Sequence, residues 1–460
     1  MSKKERYKLN FIISVPFLRN IRHSLSTPFI DHLSKYGNVS VVSPFIITND
    51  DIDYLHLQNI KLIHPEIKET KLSKKLLQIS DNARRSGYFR KSKKYGMPYY
   101  YNDAYSKFNK SGYFENFSLI VSCFIWMLSF VFQIRILWTI LEYLACMTTS
   151  FDDQTKSYLK SLDNVVYLQS SNWGIQDRLL SILSSKYKWK SVMIPYTTDQ
   201  LHATGHLLKK HNFYAVQSNF EKNLAIDLHN IAIDKIQIIG SLWFRNIDYQ
   251  KKLLKLPTFS KDRKKNIVYA GVSDQFFPRL TEIKSVKEIA MNFPEFQINY
   301  YPYVKKTEFP TLCGIFSDFN NVTLLPHSEK MTELISETTA DFREDMIEHM
   351  NKISNVDIFV MSYTTSMCLD ANYVSRCPII ANFIDDFSIL KKRNMDMFPK
   401  NMLGKYHGKY QTNVFNYNQL VDSIQEALNL KTIEDKDQPF MYWDCEKNLN
   451  DELSELIKKL

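Results

Sequence analysis

At 460 residues the chain is too long for one core of ordinary size, so two domains are expected. Hydrophobic residues make up 44% and aromatic residues 14%, which excludes a disordered chain, and 11 glycines are too few for Gly-rich phosphate loops to be the main binding device. The formal charge of +10 and a pI near 9.0 favour an anionic partner: a nucleotide, a nucleic acid or an acidic membrane surface.

The first residues have a charged start and a short apolar run ending at Pro16, which reads as a first buried strand rather than a leader. Strand-like runs follow in the order 9–14, 39–42 and 60–63, with a helical stretch at 26–36 between the first two. After an apolar interruption come runs at 165–168, 192–195, 213–216 and 236–239, separated by helical stretches such as 219–229. Short apolar strands alternating with helices predict a parallel sheet of Rossmann type. The break at 246–265 is basic, holds Pro257 and lacks a long apolar run. The alternation restarts with NIVYAGV at 266 and continues through 297–301, 322–325, 357–361 and 378–381. A polar amphipathic helix is expected over 444–460, compatible with a simple terminal helix or with a return onto the first domain.

The apolar interruption is FSLIVSCFIWMLSFVFQI, residues 117–134, free of charge, and the apolar character resumes after Arg135 as far as Met147. Its length meets the threshold for a membrane span. A single crossing would put strands of one sheet on opposite sides of a bilayer. That leaves an in-plane helix, a re-entrant hairpin or a buried helical pair. Residues 68–110 just before it carry twelve Lys or Arg against three acids. This favours monotopic attachment to an anionic leaflet over nucleic-acid binding. The cysteines Cys123, Cys146, Cys313, Cys368, Cys377 and Cys445 show no Cys-x-x-Cys spacing and read as reduced thiols.

The stretch MSYTTSMCLDANYVSRCPII, from 361, follows an apolar strand with three hydroxyl residues and a short helix. Helix capping alone accounts for hydroxyls there. The carboxyl edge of a parallel sheet next to a helix N-terminus is equally where phosphate binds, and Asp370 one turn on would suit a ribose. Asp pairs at 50–51, 152–153 and 385–386 lack metal-site spacing, and no metal or cofactor is expected. There is no P-loop, no Gly-x-Gly-x-x-Gly and no Gly-x-Ser-x-Gly.

The hydroxyl stretch resembles the donor-binding segment of bacterial surface-polysaccharide glycosyltransferases, through Thr364 or Thr365, Ser366, Asp370-Ala371 and Pro378-Ile379, with Asp370 where the family has Glu. Ser362-Tyr363-Thr364-Thr365 is also similar to a segment of CDP-glycerol glycerophosphotransferases. In the first half, IPYTTDQLHATGH and the following IIGSLWF resemble the same glycosyltransferases at Asp199, Gln200, Gly205, Gly240-Ser241 and Phe244. With the strand from Asn266 the likeness spans about 190–415.

The resemblance implies an α/β chain of GT-B type, two Rossmann-like domains with a cleft between them and a C-terminal helix. The boundaries would be 1–245 for the acceptor domain with a membrane-associating insertion at about 68–147, then a linker at 246–265. The donor domain would take 266–430 and a helical tail 431–460. A metal-independent glycosyltransferase would use a nucleotide sugar as co-substrate and a glycan or lipid-linked acceptor at the inner face of the cytoplasmic membrane. Asp199, His202 and His206 are the candidates for the base. Gly271, Ser273, Tyr363, Thr364, Thr365, Ser366, Asp370 and His407 are expected on the donor, and Arg19 on the acceptor. The alternatives are a CDP-polyol phosphotransferase, or a GT-B scaffold without catalysis.

Overall fold

The computed structural model describes residues 9–17, 27–45, 60–77, 79–81, 135–171, 174–195, 201, 207, 210–245, 265–272, 277–304, 307–325, 353, 356–362, 367, 370–371, 374, 377–384, 411–429 and 449–460. The chain divides into two units, Met1–Tyr249 with Tyr442–Leu460, and Gln250–Met441.

In the first unit a seven-stranded parallel sheet is built from β1 (Leu9–Ser14), β2 (Gly37–Val42), β3 (Ile60–Ile63), β6 (Val165–Gln169), β7 (Lys190–Met193), β8 (Phe213–Val216) and β9 (Ile236–Ile238). Its order is β3-β2-β1-β6-β7-β8-β9. All five residues of β6 and the last four of β1 are buried. Central strands covered on both faces take continuous apolar runs, which is why these two read so clearly in the sequence. A separate antiparallel pair, β4 (Ile67–Lys68) with β5 (Ser150–Phe151), is too short to carry a sequence signal.

The helices of this unit are α1 (Thr27–Ser34), α2 (Arg135–Met147), α3 (Asp153–Ser161), α4 (Ile175–Lys186) and α5 (Asn219–His229). α5 has a clear start and stop. Ser218 Oγ accepts the Glu221 N–H at 3.3 Å, and a Glu221 carboxylate oxygen accepts the Gln217 N–H at 2.7 Å. At the other end Asn230 turns left-handed, with φ 53°, and its N–H reaches Ile226 O.

The last helix of the chain, α9 (Leu449–Lys459), belongs to this first unit. Leu449, Leu453, Leu456 and Ile457 form its buried face. Ser454 Oγ lies 2.8 Å from Tyr36 Oη and 3.2 Å from His32 Nε2, and Lys459 Nζ donates to Gln237 Oε1 at 3.0 Å. Burial at this contact holds the His32 imidazole below its ordinary pKa.

The second unit holds a six-stranded parallel sheet of β10 (Asn266–Ala270), β11 (Gln297–Tyr301), β12 (Val322–Leu324), β13 (Ile358–Ser362), β14 (Ile379–Asn382) and β15 (Gln411–Val414). The order β12-β11-β10-β13-β14-β15 is the Rossmann order 3-2-1-4-5-6. The helices α6 (Arg279–Asn292), α7 (Phe309–Ile315) and α8 (Tyr417–Asn429) complete it. Ile267, Tyr269, Val286, Ile289, Tyr300, Val360, Ile380 and Ile424 lie in one apolar core joining strands to helices. β15 went unseen in the sequence because QTNV carries one apolar residue; an edge strand needs no more.

Two parallel sheets, each with its helices, make the chain a mixed α/β protein of two Rossmann-like units. No helix among the described residues is long and apolar enough to cross a membrane. The segment 117–134 lies outside the described residues.

Candidate functional site

In a sheet of order 3-2-1-4-5-6 the crossovers from the first and fourth strands leave in opposite directions. A crevice opens beyond their carboxyl ends. In the second unit these strands are β10 and β13, so the site begins at Gly271 and at Ser362.

At the carboxyl ends of these strands lies a buried polar network. Tyr269, Ser362, Asn382 and Ser285 are all fully buried. Tyr269 Oη lies 2.8 Å from Ser362 Oγ, and Asn382 Nδ2 donates to Tyr269 Oη at 2.9 Å and to Ser285 Oγ at 2.8 Å. Asn382 Oδ1 in turn accepts the Ile384 N–H at 3.0 Å. Burial pushes the Tyr269 phenol up to about 12, so it stays a neutral hydrogen-bonding group at physiological pH. One side-chain chain thus locks the ends of β10, β13 and β14 to the first turns of α6. The network fixes Ser362, the last described residue before 363–366.

Beside it lies a buried carboxylate. Glu282, in the first turn of α6, is 0% exposed. Its oxygens accept from the Val272 N–H at 3.1 Å, from Tyr300 Oη at 2.5 Å and from the Arg279 guanidinium. Arg279 also donates to Val272 O at 3.2 Å and to Tyr303 O at 2.7 Å. A Cβ on Gly271 would lie 2.6 Å from Glu282 Oε1 and 2.7 Å from Oε2. The missing side chain at 271 is therefore occupied by this carboxylate, a role that the sequence, read for phosphate approach, did not suggest.

Asp370 is 8% exposed and helical. Met367 and Ala371 are buried with it and Val374 is half-buried, so 367, 370, 371 and 374 form one packed helical face. Tyr363, Thr364, Thr365, Ser366, Ser273 and His407 lie outside the described residues, as do Arg19, Asp199, His202 and His206. Leu201 and Leu207, which flank residues 202–206 in the sequence, are buried. His229 Nε2 lies 2.6 Å from Leu201 O.

The first unit has an equivalent switch point between β1 and β6, where the N-terminus of α4 arrives. Gln176 Nε2 donates to Ser14 Oγ and to Val42 O, each at 2.7 Å, and Ser170 Oγ donates to Ser14 O at 2.8 Å. Tyr167 Oη donates to Asp177 Oδ1 at 3.2 Å. A recess at this edge, lined by Gln169, Ser170, Pro195, Gln217 and Gly240, has about 10 Å³ of open space, room for one water.

Asp177 is fully buried, and desolvation pushes its carboxyl up to about 7 against the opposing pull of Ser14, Tyr167 and Arg178. In the unfolded chain the same group ionises near its ordinary value. As pH rises from about 4 towards 7 the unfolded state gives up this proton while the folded state holds it, so folding is progressively disfavoured. Asp177→Asn removes that slope. Its stability relative to the parent protein is expected to climb by a few kcal/mol between pH 4 and 8, read from urea midpoints across that range. A difference independent of pH would rule this out.

Ser14, Gln169, Gln217 and Asn382 were not singled out in the sequence, nor were Tyr269, Glu282 and Asp177. A signal was available for the first four: each is the first polar residue closing, or just following, an apolar strand. Among the described residues no group of three or more His, Cys, Asp or Glu is placed to hold a metal ion.

No protein-family model matches the chain, and no curated protein matches it. Solved structures do. The chain is similar to a putative UDP-N-acetylglucosamine 2-epimerase from Listeria monocytogenes, at 8% identity and TM-score 0.53, covering 98% of this chain and 96% of that one. It is similar to the UDP-bound S. aureus protein MnaA at 9% identity and TM-score 0.50, with 98% and 96% covered. A glycosyltransferase from Rickettsia africae aligns at 10% identity and TM-score 0.46, over 98% and 97%. At 8% and 9% identity the first two likenesses show the GT-B fold and nothing finer.

Proposed function

We propose that the protein is a nucleotide-sugar-dependent glycosyltransferase that extends a surface polysaccharide or lipid-linked glycan at the inner face of the cytoplasmic membrane. The observation that carries this reading is Ser362, which closes β13 at the switch point of a 3-2-1-4-5-6 sheet, is held by the network of Tyr269, Asn382 and Ser285, and is followed in the sequence by the hydroxyl residues. The UDP in the similar S. aureus structure supports a uridine nucleotide as the first donor to try.

In this reading Thr364, Thr365 and Ser366 offer hydroxyls and backbone N–H groups to the donor diphosphate, with Tyr363, Gly271, Ser273 and His407 completing its surroundings. Asp370 serves the ribose. Asp199, His202 or His206 takes the proton of the acceptor hydroxyl as its oxygen attacks the anomeric carbon. The bond from that carbon to the diphosphate breaks, and the leaving charge falls on the oxygens held at the hydroxyl segment. Arg19 meets an anionic acceptor, and no metal or further cofactor enters.

The test is thermal stabilisation by UDP-, GDP-, CMP- and CDP-linked compounds. One of them should raise the melting temperature, and Thr365→Ala with Ser366→Ala should cut the affinity by roughly tenfold or more. No shift with any compound would defeat the enzyme reading. The epimerase-like match supports a second reading, a UDP-sugar 2-epimerase. Conversion of UDP-N-acetylglucosamine without an acceptor, followed by NMR, separates the two. A CDP-linked response would instead favour the polyol-phosphate chemistry.

A further inference from the structure

Helix α2 packs inward through Trp138, Ala145 and Cys146, yet it also presents an apolar stripe to solvent. Ile140, Tyr143, Leu144 and Met147 are 50%, 58%, 44% and 68% exposed, at the spacing i, i+3, i+4, i+7 of a single helical face. The only acid of α2, Glu142, is turned away from that face: it is buried, 3.0 Å from Arg178 Nη1.

The segment packed beside α2 repeats the pattern with charge added. Ser80 Oγ donates to Trp138 O at 3.2 Å and to Glu142 Oε1 at 3.1 Å, which fixes residues 79–81 against α2. Leu72 and Ile79 are exposed, at 58% and 44%, and so are Lys71, Lys74 and Lys75 on the helical residues 71–77. Of the two acids in 68–81, Glu69 pairs with Lys74 at 3.5 Å and Asp81 with Arg178 at 2.5 Å. The carboxylates here are therefore either buried or engaged, while the lysines and large apolar side chains face water.

We infer that the face formed by α2 and residues 71–81 docks onto an anionic lipid bilayer. The inference rests on the membrane-face reading above and names the surface and its partner. Singly exposed apolar residues are ordinary, but a four-residue stripe flanked by lysines is the composition that enters an interfacial layer, with apolar side chains below the headgroups and ammonium groups among them. Charge complementarity selects anionic lipid over a second copy of this basic chain. The Arg178 ion pairs tie both parts of the face to α4, so docking bears on the core of the first unit rather than on a loose appendage.

The experiment is flotation of the full-length protein with vesicles of phosphatidylcholine alone or mixed with phosphatidylglycerol. The protein is expected to float with the mixed vesicles and to be released by high salt. Ile140→Gln, Leu144→Gln and Met147→Gln together, and separately Lys71→Gln, Lys74→Gln and Lys75→Gln together, are each expected to lower the bound fraction by at least about tenfold. Both variants should keep the parent melting transition and its nucleotide-induced shift, because the altered side chains are exposed and lie in the other unit from the hydroxyl segment. The inference fails if the unaltered protein stays unbound, or if the stripe variant floats as well as the parent. It fails equally if that variant dissociates an oligomer in the absence of vesicles, which would make the stripe a self-association face. Absence of a nucleotide shift in the unaltered protein would instead count against the enzyme reading alone.

Discussion

Arg178→Ala is expected to lower the stability of the first unit by about 3–5 kcal/mol, a large part of the roughly 5–15 kcal/mol that holds a typical domain together. The guanidinium side chain is 2% exposed and serves two carboxylates, Glu142 at 3.0 Å and Asp81 at 2.5 Å. Removing it leaves the buried Glu142 with Ser80 Oγ, at 3.1 Å, in place of a cation, and near Cys146, whose thiol is already pushed up to about 12 by burial and then by that carboxylate. The cost comes less from the lost attraction than from an unpaired buried charge. Arg178→Lys is expected to recover only part of it, because one ammonium cannot reach both partners with the geometry of a planar fork. Arg178→Met combined with Glu142→Gln should recover more, since the buried charge goes with its partner. Urea unfolding of the three variants checks this ordering; a loss below about 1 kcal/mol for Arg178→Ala would show that the ion cluster is as weak as a surface pair.

Gly271→Ala is expected to destabilise the second unit by about 2–4 kcal/mol, although it adds a single methyl group. That methyl would meet both Glu282 oxygens at under 3 Å, and the carboxylate cannot simply swing aside. Tyr300 Oη, the Val272 N–H and Arg279 all hold it, so any movement leaves buried donors unserved. A double-mutant cycle separates this from a backbone effect. With Glu282→Ala in place the methyl has room, and Gly271→Ala should then cost little more than Glu282→Ala alone. Additive losses in the cycle would mean that the glycine is required for another reason. The same geometry shows that the N–H donor at 272 is already spent on Glu282.

Much of the architecture was legible in the sequence because parallel strands buried on both faces are written as continuous apolar runs. The runs at 9–14 and 213–216 coincide with β1 and β8 on this ground; those at 60–63 and 297–301 coincide with β3 and β11 although β3 is an edge strand that exposes Lys61, and the helix at 219–229 coincides with α5, bracketed by Ser218 and Asn230. The strands around the hydroxyl segment were also legible to within a residue, at 358–362 and 379–382. What the sequence marked weakly is what needs little burial, such as the edge strand β15 and the two-residue strands β4 and β5.

The sequence by itself therefore determined that two Rossmann-like sheets would form, and that hydroxyl residues would follow the fourth strand of the second. Those are consequences of local periodicity and of order along the chain. Only the tertiary structure decided which polar residues meet. Tyr269, Ser285, Ser362 and Asn382 are spread over more than a hundred positions, and Asp81, Glu142 and Arg178 over nearly a hundred. Their pairing depends on strand order and helix register, and no short-range pattern encodes it. Tertiary structure likewise decided that Asp370 faces a packed interior, that the space at Gly271 belongs to a carboxylate, and that one face of α2 is left in water. Each follows from which neighbour arrives at a given surface, and such neighbours lie far off in sequence.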